Sequence, residues 1–220
     1  MSLYRLCEDP RCGTLRGTTD ATGKRLSRIS AIEAIVLAAG KGERMGAIKP
    51  LVEIDGRPAL TLVIRTLREA GIERVIVILG YRAEEIEKKI DLSCCIVGEN
   101  VSYESGMGSS LALGVSLVSP DAAGFLVAHA DMPYVKAEAV SKVTARALEG
   151  AKIVAPVYKG VRGFPVYLDC GCREELIPTL RGEIGARNYI SQHEDDLVLV
   201  EVDDPGVTID IDRPEDVKGG

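Results

Sequence analysis

The sequence predicts an α/β fold, a mostly parallel β-sheet covered by helices on both faces. Short continuous apolar runs, such as residues 34–38 and 75–79, read as strands buried on both sides. Between such runs lie segments with apolar residues at helical spacing, as at 59, 60, 63, 64 and 67. The two kinds alternate through residues 32–216, the pattern of strand–helix–strand crossovers.

Taken in order, residues 34–38 form the first strand and 40–49 a loop rich in glycine and charge. Residues 51–54 are extended and end at an Asp55-Gly56 turn; residues 58–70 are helical and are closed by Gly71. Strands are expected over 74–79 and 94–97, with helices over 83–90 and 109–117. Residues 125–128 form a strand aimed at Asp131, and 136–148 a helix. Residues 152–155 and 165–168 are strands, 173–180 and 186–190 short helices, and 197–202 a strand of weaker alternation. No internal repeat or linker divides this region. Residues 1–30 are polar, with little apolar periodicity, and read as an N-terminal extension, partly disordered, before a single domain over 31–220.

With 220 residues, 46% of them apolar and 27% charged, the chain can bury a sizeable core, which excludes disorder throughout. A net charge of −6 argues against nucleic acid as a partner, while leaving room for a local basic pocket for one small anion. No apolar run approaches the ~18 residues of a membrane span, and the polar start, Met1 to Arg16, is unlike a signal peptide. The six cysteines, at 7, 12, 94, 95, 170 and 172, include no Cys-x-x-Cys, and the only imidazoles are His129 and His193. Reduced cysteines in a cytoplasmic protein follow.

Four segments carry residue types suited to chemistry. In the first, Leu37-Ala38-Ala39-Gly40-Lys41-Gly42 runs on to Arg44 and Lys49. A strand there enters a loop whose glycines allow backbone N–H groups close to an anion and whose bases neutralise it. The dinucleotide fingerprint fails because Met45 stands where its third glycine belongs. A phosphate-loop reading of residues 17–25 fails because five residues separate its glycines instead of four and Arg25 replaces Ser or Thr. In the second, Gly106-Met107-Gly108-Ser109-Ser110 opens a helix, as a serine cap or as a site for phosphate, ribose or base. In the third, Asp131-Met132-Pro133 ends a buried strand, as a turn or as a magnesium ligand. In the fourth, Asp210-Ile211-Asp212 places two acids on one side if extended, although an acidic run is often a solvated face.

The order of these segments resembles the MobA-like nucleotidyltransferases, especially the molybdenum cofactor cytidylyltransferase branch. Its opening motif reads here as Leu37 to Gly40, Arg44-Met45-Gly46 and Lys49. The likeness continues through residues 106–111, 131–133, Gly163-Phe164-Pro165-Val166, Gly182 to Arg187, and 210–216. It departs at Ala130, where the family has Gly, and at Phe164, where the cytidylyl enzymes often have His. The resemblance implies a Rossmann-like fold of the nucleotide-diphospho-sugar transferase type. It implies transfer of CMP from CTP to a phosphorylated acceptor, the molybdenum cofactor (molybdopterin), with release of pyrophosphate. Guanylyl or sugar-phosphate nucleotidyl transfer, and a nucleotide-binding regulator without turnover, are the alternatives.

By the same resemblance, Arg44, Lys49 and Asp131 are catalytic. Leu37, Ala38, Ala39, Gly40, Gly42, Asn100, Ser109 and Ser110 bind nucleotide, and Gly163, Phe164, Pro165 and Arg187 bind acceptor. Asp131 and Asp212 hold Mg²⁺, with Asp210 in reserve. Ala39, in place of Gly, goes with CTP over GTP. A molybdoenzyme or chaperone that receives the product is an implied partner.

Overall fold

A computed structural model describes residues 4–5, 31–42 and 45–217. Its strands are β1 (Tyr4–Arg5), β2 (Ile32–Ala38), β3 (Glu53–Ile54), β4 (Arg57–Pro58), β5 (Val75–Leu79), β6 (Ile96–Glu99), β7 (Gly124–His129), β8 (Ile153–Tyr158), β9 (Val161–Arg162), β10 (Val166–Asp169) and β11 (Leu197–Glu201). Its helices are α1 (Ala59–Glu69), α2 (Ala83–Lys89), α3 (Met107–Leu117), α4 (Ala137–Leu148), α5 (Arg173–Leu176) and α6 (Arg187–Gln192).

The main sheet runs β1-β6-β5-β2-β7-β10-β8-β11, with β9 paired to β8. Strands β6, β5, β2 and β7 are parallel, and β11 is parallel to β8. Strand β10 is antiparallel to both β7 and β8 and so sits reversed between them. The chain builds outward from β2 through β5 to β6, then returns to place β7 on the other side of β2. The carboxyl ends of β2 and β7 therefore flank the point where strand order reverses, the place where open α/β sheets bind ligands.

Alternation along β2 sorts the two faces. Ile32, Ala34, Val36 and Ala38 pack with Leu60, Val63 and Leu67 of α1, Ile86 of α2 and Val140 and Val143 of α4. Ile35 and Leu37 pack on the other face with Leu111 and Val115 of α3, Leu176 of α5 and Ile190 of α6. Each fully buried Leu or Ile contributes about 1.5–3 kcal/mol relative to exposure. Glu33 breaks the apolar run. Its buried carboxylate accepts from Arg74 Nε at 2.9 Å and from the Ser119 amide at 3.2 Å, which ties β2 to the end of α3. Burial raises the Glu33 pKa against the opposing pull of Arg74.

Local chemistry explains the element ends. α1 closes as expected at Gly71 (φ 89°), with the Gly71 amide on the Arg68 carbonyl and the Ile72 amide on that of Leu67, a Schellman closure. The segment expected to be extended over 51–54 instead opens with a 3₁₀ turn, Lys49–Leu51, before the short β3–β4 hairpin. The strand expected over 94–97 starts two residues later, because the Cys95 amide closes a turn on the Leu92 carbonyl at 2.8 Å. The helix expected over 173–180 stops at Leu176 and tightens into a 3₁₀ turn, Ile177–Thr179, at Pro178, which has no N–H to continue it. Of the extension, β1 pairs antiparallel with β6, Tyr4 opposite Gly98 and Arg5 opposite Val97; its other residues lie outside the described ones. Among the described residues, Cys95, Cys170 and Cys172 are free thiols, and no helix is long and apolar enough to cross a membrane.

Candidate active site

A cleft of about 1140 Å³ opens at the carboxyl ends of β2 and β7. Its near wall is Leu37, Ala39, Gly40, Lys41 and Gly42, the end of β2 and the loop that follows. Gly42 has φ +61°, and a Cβ there would lie 2.9 Å from Lys49 Cγ and 3.1 Å from the Ala47 carbonyl. The glycine thus lets the loop fold down onto the stem of Lys49. Gly40 is different. A Cβ there would meet nothing within 4 Å, so the chain's own packing does not require a glycine at this position in the cleft wall. Ala39 is packed hard, because a Cβ on Gly80 would come within 2.8 Å of both the Ala39 methyl and Tyr103 Cβ.

The floor is a cation among three acids. Lys49 Nζ donates to Asp131 Oδ2 at 2.9 Å and also to Asp212 Oδ1. Asp131, Asp210 and Asp212 each bring a carboxylate oxygen within 4.8 Å of the others. Asp131 follows β7, and its carbonyl accepts the Ile211 amide at 2.8 Å. Ile211 is fully buried with Met45, Ile54 and Ala59, so an apolar anchor holds the two flanking acids at the cleft. Asp216 Oδ2 accepts the amides of Asp212 and Arg213 at 2.9 and 2.7 Å and fastens the same segment. Burial works against the Lys49 ammonium, yet the hydrogen bonds to Asp212 and Asp131 outweigh it and hold its pKa above the ordinary lysine value. Three hard oxygen donors of this kind fit a divalent cation, which takes one or two carboxylates together with phosphate oxygens and water.

The opposite flank comes from β9, α6 and the 3₁₀ turn Pro205–Thr208, through Arg162, Gly163, Phe164, Arg187, Val207 and Thr208. Phe164 meets His129 edge to face, with ring centroids 4.4 Å apart. Burial lowers the His129 pKa in spite of Asp131 and Asp210, which favours a neutral imidazole.

The structure brings Leu37, Ala39, Gly40, Gly42, Lys49, Ser110, Asp131, Gly163, Phe164, Arg187 and Asp212 into one cleft, whereas Arg44 lies outside the described residues. It leaves out four of the residues singled out by sequence. Ala38 faces the α1 and α4 side of the sheet, and Pro165 leads into β10 behind Phe164. Asn100 is buried and its polar atoms are engaged within the chain: Nδ2 donates to Ser109 Oγ at 2.8 Å and Ser110 Oγ at 2.9 Å, and Oδ1 accepts the Ser102 amide at 2.9 Å. Ser109 Oγ in turn donates to the Gly106 carbonyl at 2.8 Å. Asn100 and Ser109 thus fasten the start of α3 to the end of β6. Gly106 and Gly108 allow close backbone packing, since a Cβ would lie 2.4 Å from Gly182 C and 2.6 Å from Arg181 N. The amide of Met107, at the start of α3, donates to Glu183 Oε2 at 3.4 Å.

Sequence reasoning missed His129, Tyr103, Arg162 and Glu183, which also line the cleft. His129 carried a usable signal, because two residues before Asp131 at a strand end is the same side of the sheet.

Residues 34–197 match the model of the MobA-like NTP transferase domain. The nicotine blue oxidoreductase of Paenarthrobacter nicotinovorans is 28% identical over 197 residues, covering 84% of this chain and 93% of that protein. The molybdenum cofactor cytidylyltransferase of Escherichia coli (strain K12) is 25% identical over 194 residues, covering 86% and 94%. Among solved structures, an Rv0371c homologue from Mycobacterium sp. strain JC1 superposes with a TM-score of 0.74 at 28% identity, covering 85% of this chain and 93% of that one. The manganese complex of Rv0371C from Mycobacterium tuberculosis H37Rv gives a TM-score of 0.69 at 22% identity, covering 84% and 94%.

Proposed function

The chain belongs to the MobA-like NTP transferase family, and from that premise we propose that it transfers CMP from CTP to molybdopterin bearing molybdenum, releasing pyrophosphate. The observation that carries this reading is Lys49 held between Asp131 and Asp212 beneath the Gly40–Gly42 loop, at the carboxyl edge of the sheet. An oxygen of the acceptor phosphate attacks the α-phosphorus, the bond to the bridging oxygen breaks, and pyrophosphate leaves with the electron pair. Backbone donors of the glycine loop take up phosphate oxygens, and the Lys49 ammonium offsets charge building on the leaving group. Arg44 serves beside it in this reading. Asp131 and Asp212, with Asp210 in reserve, would hold Mg²⁺, whose charge offsets that of the phosphates when bound. No general base is needed, because a phosphate monoester is already anionic. A cytoplasmic setting and a molybdoenzyme or chaperone that takes the product belong to the same proposal.

Pyrophosphate release with each of the four nucleoside triphosphates, with and without molybdenum cofactor, tests the proposal. Release with CTP that depends on the cofactor supports it, and no release with any of the four triphosphates would overturn it.

Ala39 gives the base preference. Its methyl lines the cleft and leaves less room than a hydrogen, so CTP is expected to bind more tightly than GTP. Ala39→Gly should narrow that preference without reversing it, since one methyl in a pocket is worth about 1–3 kcal/mol. Titration of both nucleotides against both proteins measures it, and tighter GTP binding by the parent chain would sink the claim.

The extension is expected to be dispensable for the nucleotide. Its described strand, β1, pairs with β6 at the edge of the sheet, and every described cleft residue falls at or beyond Leu37. A chain lacking residues 1–28 should keep CTP affinity within about twofold, because two edge pairings away from the ligand leave the site unaltered. Insolubility or weaker CTP binding would make the extension part of the domain.

A further inference from the structure

We infer that Arg162 and Arg187 form a two-arginine clamp for the phosphate of the acceptor. The inference rests on the nucleotidyl-transfer reading and adds a residue, Arg162, to the reaction. Four cations line the cleft among the described residues: Lys41, Lys49, Arg162 and Arg187. Lys41 is paired with Glu104 at 2.6 Å, and Lys49 is engaged by Asp131 and Asp212. The side chains of Arg162 and Arg187 make no ion pair or hydrogen bond with any described residue.

Both arginines stand on fixed backbone. Arg162 is paired with Val157 across the β8–β9 hairpin, whose turn residues Lys159 and Gly160 have φ 49° and 80°. The next residues are clamped too. The Gly163 amide donates to the Pro156 carbonyl and the Phe164 amide to that of Val207, both at 2.8 Å. A Cβ on Gly163 would lie 2.1 Å from the Val207 oxygen, so hairpin and turn are in backbone contact. Arg187 opens α6, which is held down by the buried Tyr189 and Ile190.

The chemistry needs cations here. The attacking phosphate monoester carries up to two negative charges and must approach a triphosphate that carries more. In the nucleotidyl-transfer reading Lys49, and a cation that Asp131 and Asp212 would hold, serve the triphosphate, so the repulsion must be offset from the opposite wall. Planar guanidinium groups suit that task, because they bind phosphate oxygens in pairs and keep their charge at any working pH.

Inorganic phosphate is the probe. Its affinity is measured by calorimetry on the full chain saturated with Mg²⁺ and α,β-methylene CTP, which fills the nucleotide site without turning over. Arg162→Ala and Arg187→Ala should each weaken phosphate binding by about ten- to hundredfold, the size of one lost charge-assisted hydrogen bond. Arg162→Lys, which keeps charge on the same exposed hairpin, should lose less, and affinity for the CTP analogue should not change. Unchanged phosphate affinity in both alanine variants, or none in the parent chain, with the analogue still bound, overturns the clamp alone. Failure of the parent chain to bind the analogue overturns the nucleotidyl-transfer reading and the clamp with it.

Discussion

Asp131→Asn is expected to lower magnesium-dependent pyrophosphate release by roughly a thousandfold, the scale seen when one preorganised electrostatic partner of a transition state is removed. The substitution keeps the size of the side chain and the backbone bond to Ile211, so the fold of the cleft floor is preserved. What it removes is one negative charge, at the meeting point of Lys49, Asp210 and Asp212. A carboxylate beside phosphates is repelled by them unless a cation lies between, and that cation reverses the sign of its contribution. Nucleotide affinity measured in chelator should therefore stay the same or rise in the variant, while magnesium-dependent turnover collapses. Asp212→Asn should act in the same direction and less severely, because Asp131 and Asp210 remain. Near-normal turnover in Asp131→Asn would remove the core of the mechanism and leave a nucleotide-binding fold.

Lys49→Met should cost turnover on a similar scale and have a second, opposite effect. Its ammonium lies against the two carboxylates proposed to hold the divalent cation. In the proposed mechanism a divalent cation would compete with the ammonium for the same oxygens in the free protein. Replacing Lys49 by a neutral side chain of similar length should tighten nucleotide-free Mn²⁺ binding by at least roughly tenfold, because charges a few ångströms apart near a protein surface interact by several kcal/mol. Free Mn²⁺ is counted by electron paramagnetic resonance, which needs no turnover. In the parent chain, nucleotide phosphates are expected to compete for Lys49 and release the acids, so CTP should strengthen Mn²⁺ binding, and part of that gain should vanish in the variant. Weaker or unchanged Mn²⁺ binding by Lys49→Met would show that the lysine does not stand in for the metal.

The sequence by itself determined most of the longer strands and helices and the faces they turn inward, because those properties repeat with periods of 2 and 3.6 residues. The apolar run of β2 and the spacing 59, 60, 63, 64 and 67 in α1 are read without any partner in view. That Gly42, Lys49, Asp131 and Asp212 share one cleft was legible for a related reason, since glycines and charges at strand ends mark loops at the sheet edge, the place where open α/β sheets bind ligands. Only the tertiary structure decided how these pieces meet. Lys49 finds its acids 82 and 163 residues further along the chain, and no local pattern reports a distance of that kind. The reversed placement of β10 between β7 and β8 was equally hidden, because a strand buried on both faces reads the same in either direction. Asn100 and Ser109 read from sequence as contacts to a nucleotide, and the fold adds a hydrogen bond between them that no local pattern shows, since a polar side chain next to a cleft serves whichever partner docking brings within 3 Å. Arg162 was missed for the converse reason: a base on a hairpin reads as surface until the fold lays that hairpin along the wall of the cleft.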